Sequence, residues 1–174
     1  DRLKNYIDRM LGPSELPELK TTNIHFLIER VLKLLKTDQD KETTFVRDYD
    51  PSIPDVKIDN DMIIQALLNI LKNAQEATVE GGTVLIKTRV ERNYTINSIR
   101  YNLVAMIDII DDGIGISPDI KSKLFLPLVT NKPKGSGLGL SISQKLVSLN
   151  NGIIVYEDDD ARTIFKIILP IENY

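Results

Sequence analysis

Four polar side chains recur along one predicted helix at a spacing that could present them to a ligand. Gln65, Asn69, Asn73 and Glu76 lie three or four residues apart, so they form one stripe down a helix otherwise built from Ile, Leu, Met and Ala. Such a stripe is consistent with a solvent-facing surface and equally with a surface that faces a polar ligand. A carboxamide oxygen is a hard, neutral ligand that can complete the coordination of a phosphate-bound Mg²⁺, and Asn73 is the candidate for that bond.

A carboxylate beside two glycines follows a predicted strand. The sequence Asp111-Asp112-Gly113-Ile114-Gly115 comes directly after an apolar run, so the strand delivers an acid at its end. The glycines there would let a flat ligand approach the backbone closely. On its own, however, an Asp-Gly pair usually marks only a turn.

A third group is rich in glycine and opens a predicted helix. Residues 135–140 read Gly-Ser-Gly-Leu-Gly-Leu, and free backbone N–H groups at a helix start form an anion site. Lys132, just upstream, would add a positive charge. The glycines alternate and no predicted strand immediately precedes them, so the segment does not fit the dinucleotide-binding fingerprint.

The predicted elements place these three groups in one folded unit. Asn23 is predicted to cap a helix whose apolar face consists of Ile24, Leu27, Ile28, Val31, Leu32 and Leu35. Further helices are predicted over 60–79, ending at Gly81-Gly82, and over 138–150, with a short helical patch at 118–124. Strands are predicted at 43–49, 56–58, 83–92, 100–110, 152–156 and 163–169.

The first residues differ from the rest. Residues 1–11 have helical spacing of their apolar side chains and stop at Gly12-Pro13, so they are predicted to be the end of a helix. The two prolines between residues 13 and 18 predict a linker and a domain boundary.

Composition restricts the classes of function. The chain has 174 residues, of which 42% are hydrophobic and 27% charged, as expected of one folded domain. Its 22 Lys and Arg and 25 Asp and Glu give a net charge of −3, which argues against nucleic acid as a partner. The absence of cysteine excludes disulfides and fits a cytoplasmic location. No apolar run reaches the roughly 18 to 20 residues that span a bilayer, so we expect no membrane contact by this segment.

In their order along the chain, these motifs resemble the ATP-binding catalytic domain of sensor histidine kinases, in the GHKL superfamily. The resemblance covers about residues 20 to 171. Its motifs are an N box at 69–74, a G1 box at 111–115, an F box at 124–128, the lid's Thr-Thr-Lys as Thr-Asn-Lys at 130–132 and a G2 box at 135–140. Nitrogen-regulation kinases of the NtrB type are similar also at 47–52 and at the hinge, 10–13.

The resemblance implies a fold and a division of the chain. The expected fold is an α/β (α+β) two-layer sandwich of the Bergerat type, with a mixed sheet, helices on one face and a short N-terminal helix stub. Residues 1–12 would end the second dimerisation helix, 13–20 would form the linker, and 21–174 would form the catalytic ATP-binding domain.

The resemblance also implies roles in an ATP site. Asp111 would accept a hydrogen bond from the adenine N6 amino group, Thr163 would join through a bridging water, and Asn73 would bind Mg²⁺. No residue of this chain is assigned to catalysis itself. Further contacts to ATP are implied for residues at the phosphates, in the lid and beside the adenine: Asn69, Lys72, Lys132, Gly135, Gly137, Leu138, Gly139, Gly113 and Gly115.

The implied function is transfer of the γ-phosphoryl group of Mg·ATP to a histidine on a dimerisation domain outside this chain. By resemblance its partners would be that domain, an NtrC-type response regulator and a PII-type signal protein. Related ATPases such as DNA gyrase and MutL carry a water-activating Glu where this chain has Asn69, which favours phosphotransfer. Two alternatives stay open: a nucleotide-binding regulatory module without kinase activity, and an ATP-hydrolysing GHKL enzyme.

Several positions depart from the family pattern. The only histidine, His25, lacks the acidic residue that follows a phosphoacceptor and is expected to be structural. Glu76 stands where many sensor kinases have Lys or Arg, and Ala161-Arg162 replaces the usual glycine before Thr163. The acidic run 157–160 is expected to be a solvated turn.

Overall fold

A computed structural model describes residues 16–37, 42–130, 132, 135–159 and 162–171. The predicted helix stub 1–12 and most of the linker lie outside these residues. Among those described, the helices are α1 (Ile24–Thr37), α2 (Asn60–Ala77), α3 (Pro118–Lys121) and α4 (Gly139–Leu149). The strands are β1 (Lys20–Thr22), β2 (Thr44–Asp48), β3 (Val56–Ile58), β4 (Thr83–Ile96), β5 (Ile99–Asp111), β6 (Ile153–Asp159) and β7 (Arg162–Pro170).

The main sheet is mixed, as predicted. Its five strands run in the order β2-β4-β5-β7-β6, with β2 parallel to β4 and the other neighbours antiparallel. One face carries the main core, which the sheet builds together with α1, α2 and α4. The expected two-layer sandwich, with helices on one face of the sheet, is therefore confirmed.

Helix α1 forms as its sequence pattern predicts. The Asn23 side chain accepts a hydrogen bond from the backbone N–H of His25 at 2.9 Å, which caps the first turn. All six apolar side chains of the predicted face are at most 4% exposed. The 3.6-residue period of the sequence was therefore sufficient to identify the buried face.

Several elements differ from prediction. Helix α2 ends at Ala77, before Gly81-Gly82, because the backbone of Thr78 is already extended. The Thr78 hydroxyl donates to the Ala74 carbonyl at 2.7 Å. Strand β1 was not predicted, since its three residues have no apolar period and are ordered by pairing with β3. The β4–β5 hairpin is also longer than predicted and turns at Asn97-Ser98, where both φ angles are positive.

Asn150, at the end of α4, joins α4 to α2, the helix that carries the polar stripe. Its side chain is 2% exposed, accepts from the Asp59 backbone N–H at 2.7 Å and donates to the Leu146 carbonyl at 2.8 Å. Asp59 in turn caps α2 by accepting from the Met62 N–H at 3.1 Å. The start of α2 is thus fixed to the end of α4.

No helix among the described residues is long and apolar enough to cross a bilayer.

We predict that Asn150→Ala lowers the free energy of unfolding by about 1 to 3 kcal/mol, because it leaves a buried N–H and a buried carbonyl without these partners. Denaturant unfolding monitored by circular dichroism would measure the change. Asn102→Ala, at an exposed position of β5, is the control and is expected to change stability by less than about 0.5 kcal/mol. An equal, small loss in both variants would contradict the bridging role.

Candidate functional site

A cavity of about 520 Å³ opens between α2, the end of β5, α3, the start of α4 and the described residues between Val129 and Gly137. It is lined by the following residues: Asn73, Ala74, Glu76, Ala77, Asp111, Ile114, Gly115, Ile116, Ile120, Leu124, Val129, Thr130, Lys132, Gly135, Ser136, Gly137, Gly139, Leu140, Thr163 and Phe165. Its size is typical of a small-molecule or cofactor site.

One end of the cavity holds a buried carboxylate. Asp111 ends β5 and lies directly opposite Thr163 of β7, and the two residues are 2% and 5% exposed. Burial raises the pKa of Asp111 to about 6, helped by the nearby Asp112 and opposed by the Gly113 N–H, which donates to Asp111 Oδ1 at 3.1 Å, and by Lys132. A hydrogen-bond acceptor and a hydroxyl are therefore fixed side by side in a place removed from water.

The walls at this end are apolar. Ile116, Ile120 and Leu124 face the cavity from the segment after β5, and Phe165 faces it from β7. Phe165 is held edge-on by Phe125, with ring centroids 6.5 Å apart. Apolar walls around one fixed acceptor suit a flat heterocycle that carries an amino donor.

Gly113 acts through packing and does not line the cavity. A Cβ on Gly113 would lie 2.3 Å from the Ala77 carbonyl oxygen, which also accepts from the Ile114 N–H at 3.2 Å. Only glycine permits this close approach of the loop to the last turn of α2. The contact fixes the position of Asp111 relative to α2.

The other end of the cavity is polar. The Lys132 ammonium donates to Asn73 Oδ1 at 3.2 Å and to Glu76 Oε2 at 2.5 Å. The two oxygens lie one helical turn apart on α2 and contact the same cationic nitrogen. Oxygen atoms of amides and carboxylates are the ligands that Mg²⁺ prefers. This end of the cavity therefore fits a divalent cation that is also bound to phosphate groups.

Two predicted phosphate contacts do not line the cavity. The Asn69 amide donates to the Gly139 carbonyl at 3.3 Å and to the Ser143 hydroxyl at 3.2 Å, so it holds the first turn of α4 against α2. Lys72 is exposed on α2 and lies outside the lining residues.

The glycine-rich segment is fixed to the preceding chain at Gly137. Its φ is +67°, and a Cβ there would lie 2.5 Å from the Leu128 carbonyl carbon. The Leu128 N–H donates to the Gly137 carbonyl at 2.9 Å. Gly135, Gly137 and Gly139 all line the cavity, whereas Leu138 is buried beneath them.

The structure thus brings together in one cavity eight of the residues that sequence reasoning assigned to it: Asn73, Asp111, Gly115, Lys132, Gly135, Gly137, Gly139 and Thr163. It places Asn69, Lys72, Gly113 and Leu138 beside or beneath the cavity. Sequence reasoning missed most of the apolar wall, because Ile and Leu at these positions have the same pattern as core residues. Within the described ranges, no group of three or more His, Asp or Glu side chains is arranged to hold a metal ion.

Residues 58–173 match the family described as histidine kinase-, DNA gyrase B-, and HSP90-like ATPase. Curated relatives include the sensory histidine kinase/phosphatase NtrB of Klebsiella oxytoca, 41% identical over 174 residues, and that of Proteus hauseri, 40% identical over 173 residues. Each alignment covers 99% of this chain, and the chain spans about half the length of these relatives.

Solved structures show the same fold. The catalytic domain of the histidine kinase ThkA aligns with a TM-score of 0.73 at 30% identity, covering 88% of this chain and 95% of that domain. ThkA in complex with the response regulator protein TrrA aligns with a TM-score of 0.75 at 27% identity, covering 98% of this chain and 48% of that one. The fold is therefore that of a histidine kinase catalytic domain.

We predict that Asp111→Asn stabilises the ligand-free protein above pH 6. The pKa of Asp111 is raised from 3.8 to about 6 on folding, so wild-type stability decreases as the pH rises through this window and the buried group ionises. The variant lacks this penalty, and its advantage should grow between about pH 4 and pH 6 to at most about 3 kcal/mol.

Thermal or denaturant unfolding across this pH range measures the difference. Asp55→Asn, at an exposed position, serves as the control and should follow the wild type. A constant difference between Asp111→Asn and the wild type at all pH values would contradict the desolvated carboxylate.

Proposed function

Because the chain belongs to the family of histidine kinase-, DNA gyrase B- and HSP90-like ATPases, we propose that it is the ATP-binding catalytic domain of a sensor histidine kinase. It transfers the γ-phosphoryl group of ATP to a histidine on the dimerisation domain of that kinase. The observation that carries the proposal is the buried pair of Asp111 and Thr163 at the apolar end of a cavity whose other end holds cation-binding oxygens.

The apolar end binds adenine. An ionised Asp111 accepts from the exocyclic amino group, while Ile116, Ile120 and Phe165 contact the ring. Guanine presents an acceptor at the corresponding position, so a fixed carboxylate there disfavours it. Thr163, which pairs with Asp111 across the strands, holds a bridging water to the ring nitrogens in this proposal.

The polar end receives the triphosphate. Asn73 binds Mg²⁺, Lys132 neutralises phosphate charge, and Gly135, Gly137 and Gly139 let the lid approach the phosphates. A Mg²⁺ held by Asn73 would offset the charge that develops on the transferring phosphoryl group. The residues of this chain bind and orient the nucleotide, and they leave its γ-phosphate open to an acceptor from outside.

The acceptor histidine belongs to another segment. His25 is the only histidine of the chain, and it is absent from the cavity lining. Its ring stacks on Tyr49 with centroids 4.6 Å apart, and its Nε2 lies 2.9 Å from the Thr88 hydroxyl. Desolvation lowers the pKa of His25. These contacts support a structural role.

Phosphotransfer is favoured over ATP hydrolysis by Asn69. Gyrase-like ATPases carry their water-activating Glu at this position, and here it is an amide that cannot act as a base. The Asn69 amide nitrogen is moreover engaged with Gly139 and Ser143. Transfer to the neutral nitrogen of a histidine depends on positioning and charge neutralisation more than on such a base.

The physiological role is proposed from the relatives. The curated NtrB relatives are histidine kinase/phosphatases, and ThkA forms a complex with a response regulator. We infer that this domain serves a cytoplasmic kinase in nitrogen regulation, with an NtrC-type response regulator and a PII-type signal protein as partners.

We predict that ADP binding weakens as the pH falls below 6. Adenine binding needs an ionised Asp111, and in the nucleotide-free protein the pKa of Asp111 is about 6. Affinity at pH 5 should be about tenfold lower than at pH 7. Phosphate groups titrate in the same range, so Asp111→Asn, which should bind more weakly at pH 7, measures their share of the pH dependence. Calorimetric titrations of both proteins test this, and parallel pH profiles would remove Asp111 from the adenine contact.

Mixed with a separate dimerisation domain that carries a phosphoacceptor histidine, this chain should transfer ³²P from γ-labelled ATP. The rate should rise in proportion to acceptor concentration, since no tether holds the two domains together. Asn73→Asp should nearly abolish transfer by altering the charge and geometry at the metal. Transfer at the wild-type rate by this variant would refute the role of Asn73, and nucleotide binding without transfer by the wild type would favour a regulatory module.

A further inference from the structure

Asn73 and Glu76 form one cation-binding pair. They lie three residues apart on α2, and both line the cavity. The Lys132 ammonium contacts Asn73 Oδ1 at 3.2 Å and Glu76 Oε2 at 2.5 Å. A single compact positive charge therefore already sits between the two oxygens in the nucleotide-free protein.

The chemistry of the pair suits a divalent cation better than Asn73 alone does. Protein-bound Mg²⁺ is typically held by one or two carboxylates together with phosphate oxygens and water. Asn73 is neutral, and Glu76 is the carboxylate that lies next to it in the cavity. On the basis of the proposed function, we propose that Glu76 is a second protein ligand of the nucleotide's divalent cation, and that Lys132 occupies this site until the cation arrives.

Charge repulsion makes the two occupants exclusive. An ammonium and a divalent cation cannot both lie within contact of the same two oxygens without strong repulsion. Binding of the metal nucleotide therefore displaces Lys132 from Glu76. Since Lys132 belongs to the lid, its ammonium is then free to contact the phosphates.

The pair also predicts how nucleotide affinity depends on the metal. Without a divalent cation, Glu76 places a negative charge close to the phosphates and opposes binding. With the cation, the same carboxylate contributes to binding. Nucleotide binding by this chain should thus depend on Mg²⁺ more strongly than in a variant without the carboxylate.

The experiment compares the ratio of the ADP Kd in EDTA to the ADP Kd in saturating Mg²⁺, measured by calorimetry. Glu76→Gln should lower this ratio at least about tenfold, which is the scale of losses when a metal site is perturbed. Glu80→Gln, the same change at an exposed position outside the cavity, should leave the ratio within about twofold of the wild type.

A second variant, Glu76→Lys, and the ratio measured for Glu76→Gln together separate metal binding from mere retention of Lys132. Glu76→Lys should bind ADP more tightly than the wild type in EDTA and gain little from Mg²⁺. If Glu76 only holds Lys132, Glu76→Gln changes the Kd equally in both solutions and the ratio stays at the wild-type value, which overturns the inference. Failure of the wild type to bind ADP in either solution would instead overturn the proposed function.

Discussion

A carboxylate held away from water at the end of a central strand is the constraint on which the site depends. Asp111 pairs with Val84 on β4 and with Thr163 on β7, so three strands fix its backbone. Desolvation makes its ionised form costly and raises its pKa to about 6. The sheet thus holds in place a group that is satisfied best when a donor from a ligand reaches it.

Helix α2 connects this carboxylate to the rest of the site. Its last turn accepts the loop after Asp111 through the Ala77 carbonyl and the close approach of Gly113. Glu76 in that turn and Asn73 just before it contact the Lys132 ammonium, and one turn earlier Asn69 holds the first turn of α4. A single helix therefore sets the distance between the apolar end and the polar end of the cavity.

Much of this arrangement could be predicted from the sequence. The rest could not, because it depends on contacts between distant residues. The α1 face and most strands follow from apolar periodicity. Each polar motif is weak evidence alone, and it is their order along the chain that indicates a nucleotide site. The sequence did not predict that the Asn69 amide bonds to Gly139 and Ser143, a tertiary contact that no local pattern encodes. Strand β1 is likewise ordered by a distant partner, since Lys20 pairs with Ile58 of β3 and Thr22 pairs with Val56.

The most direct measurement of the central claim is a calorimetric comparison of Mg·ATP and Mg·GTP binding to the wild-type chain. A buried carboxylate that accepts from the adenine amino group should bind ATP and reject GTP by at least about a hundredfold, because guanine would leave that acceptor facing another acceptor. Equal affinity for the two nucleotides would contradict the assignment of Asp111 as the residue that reads the base.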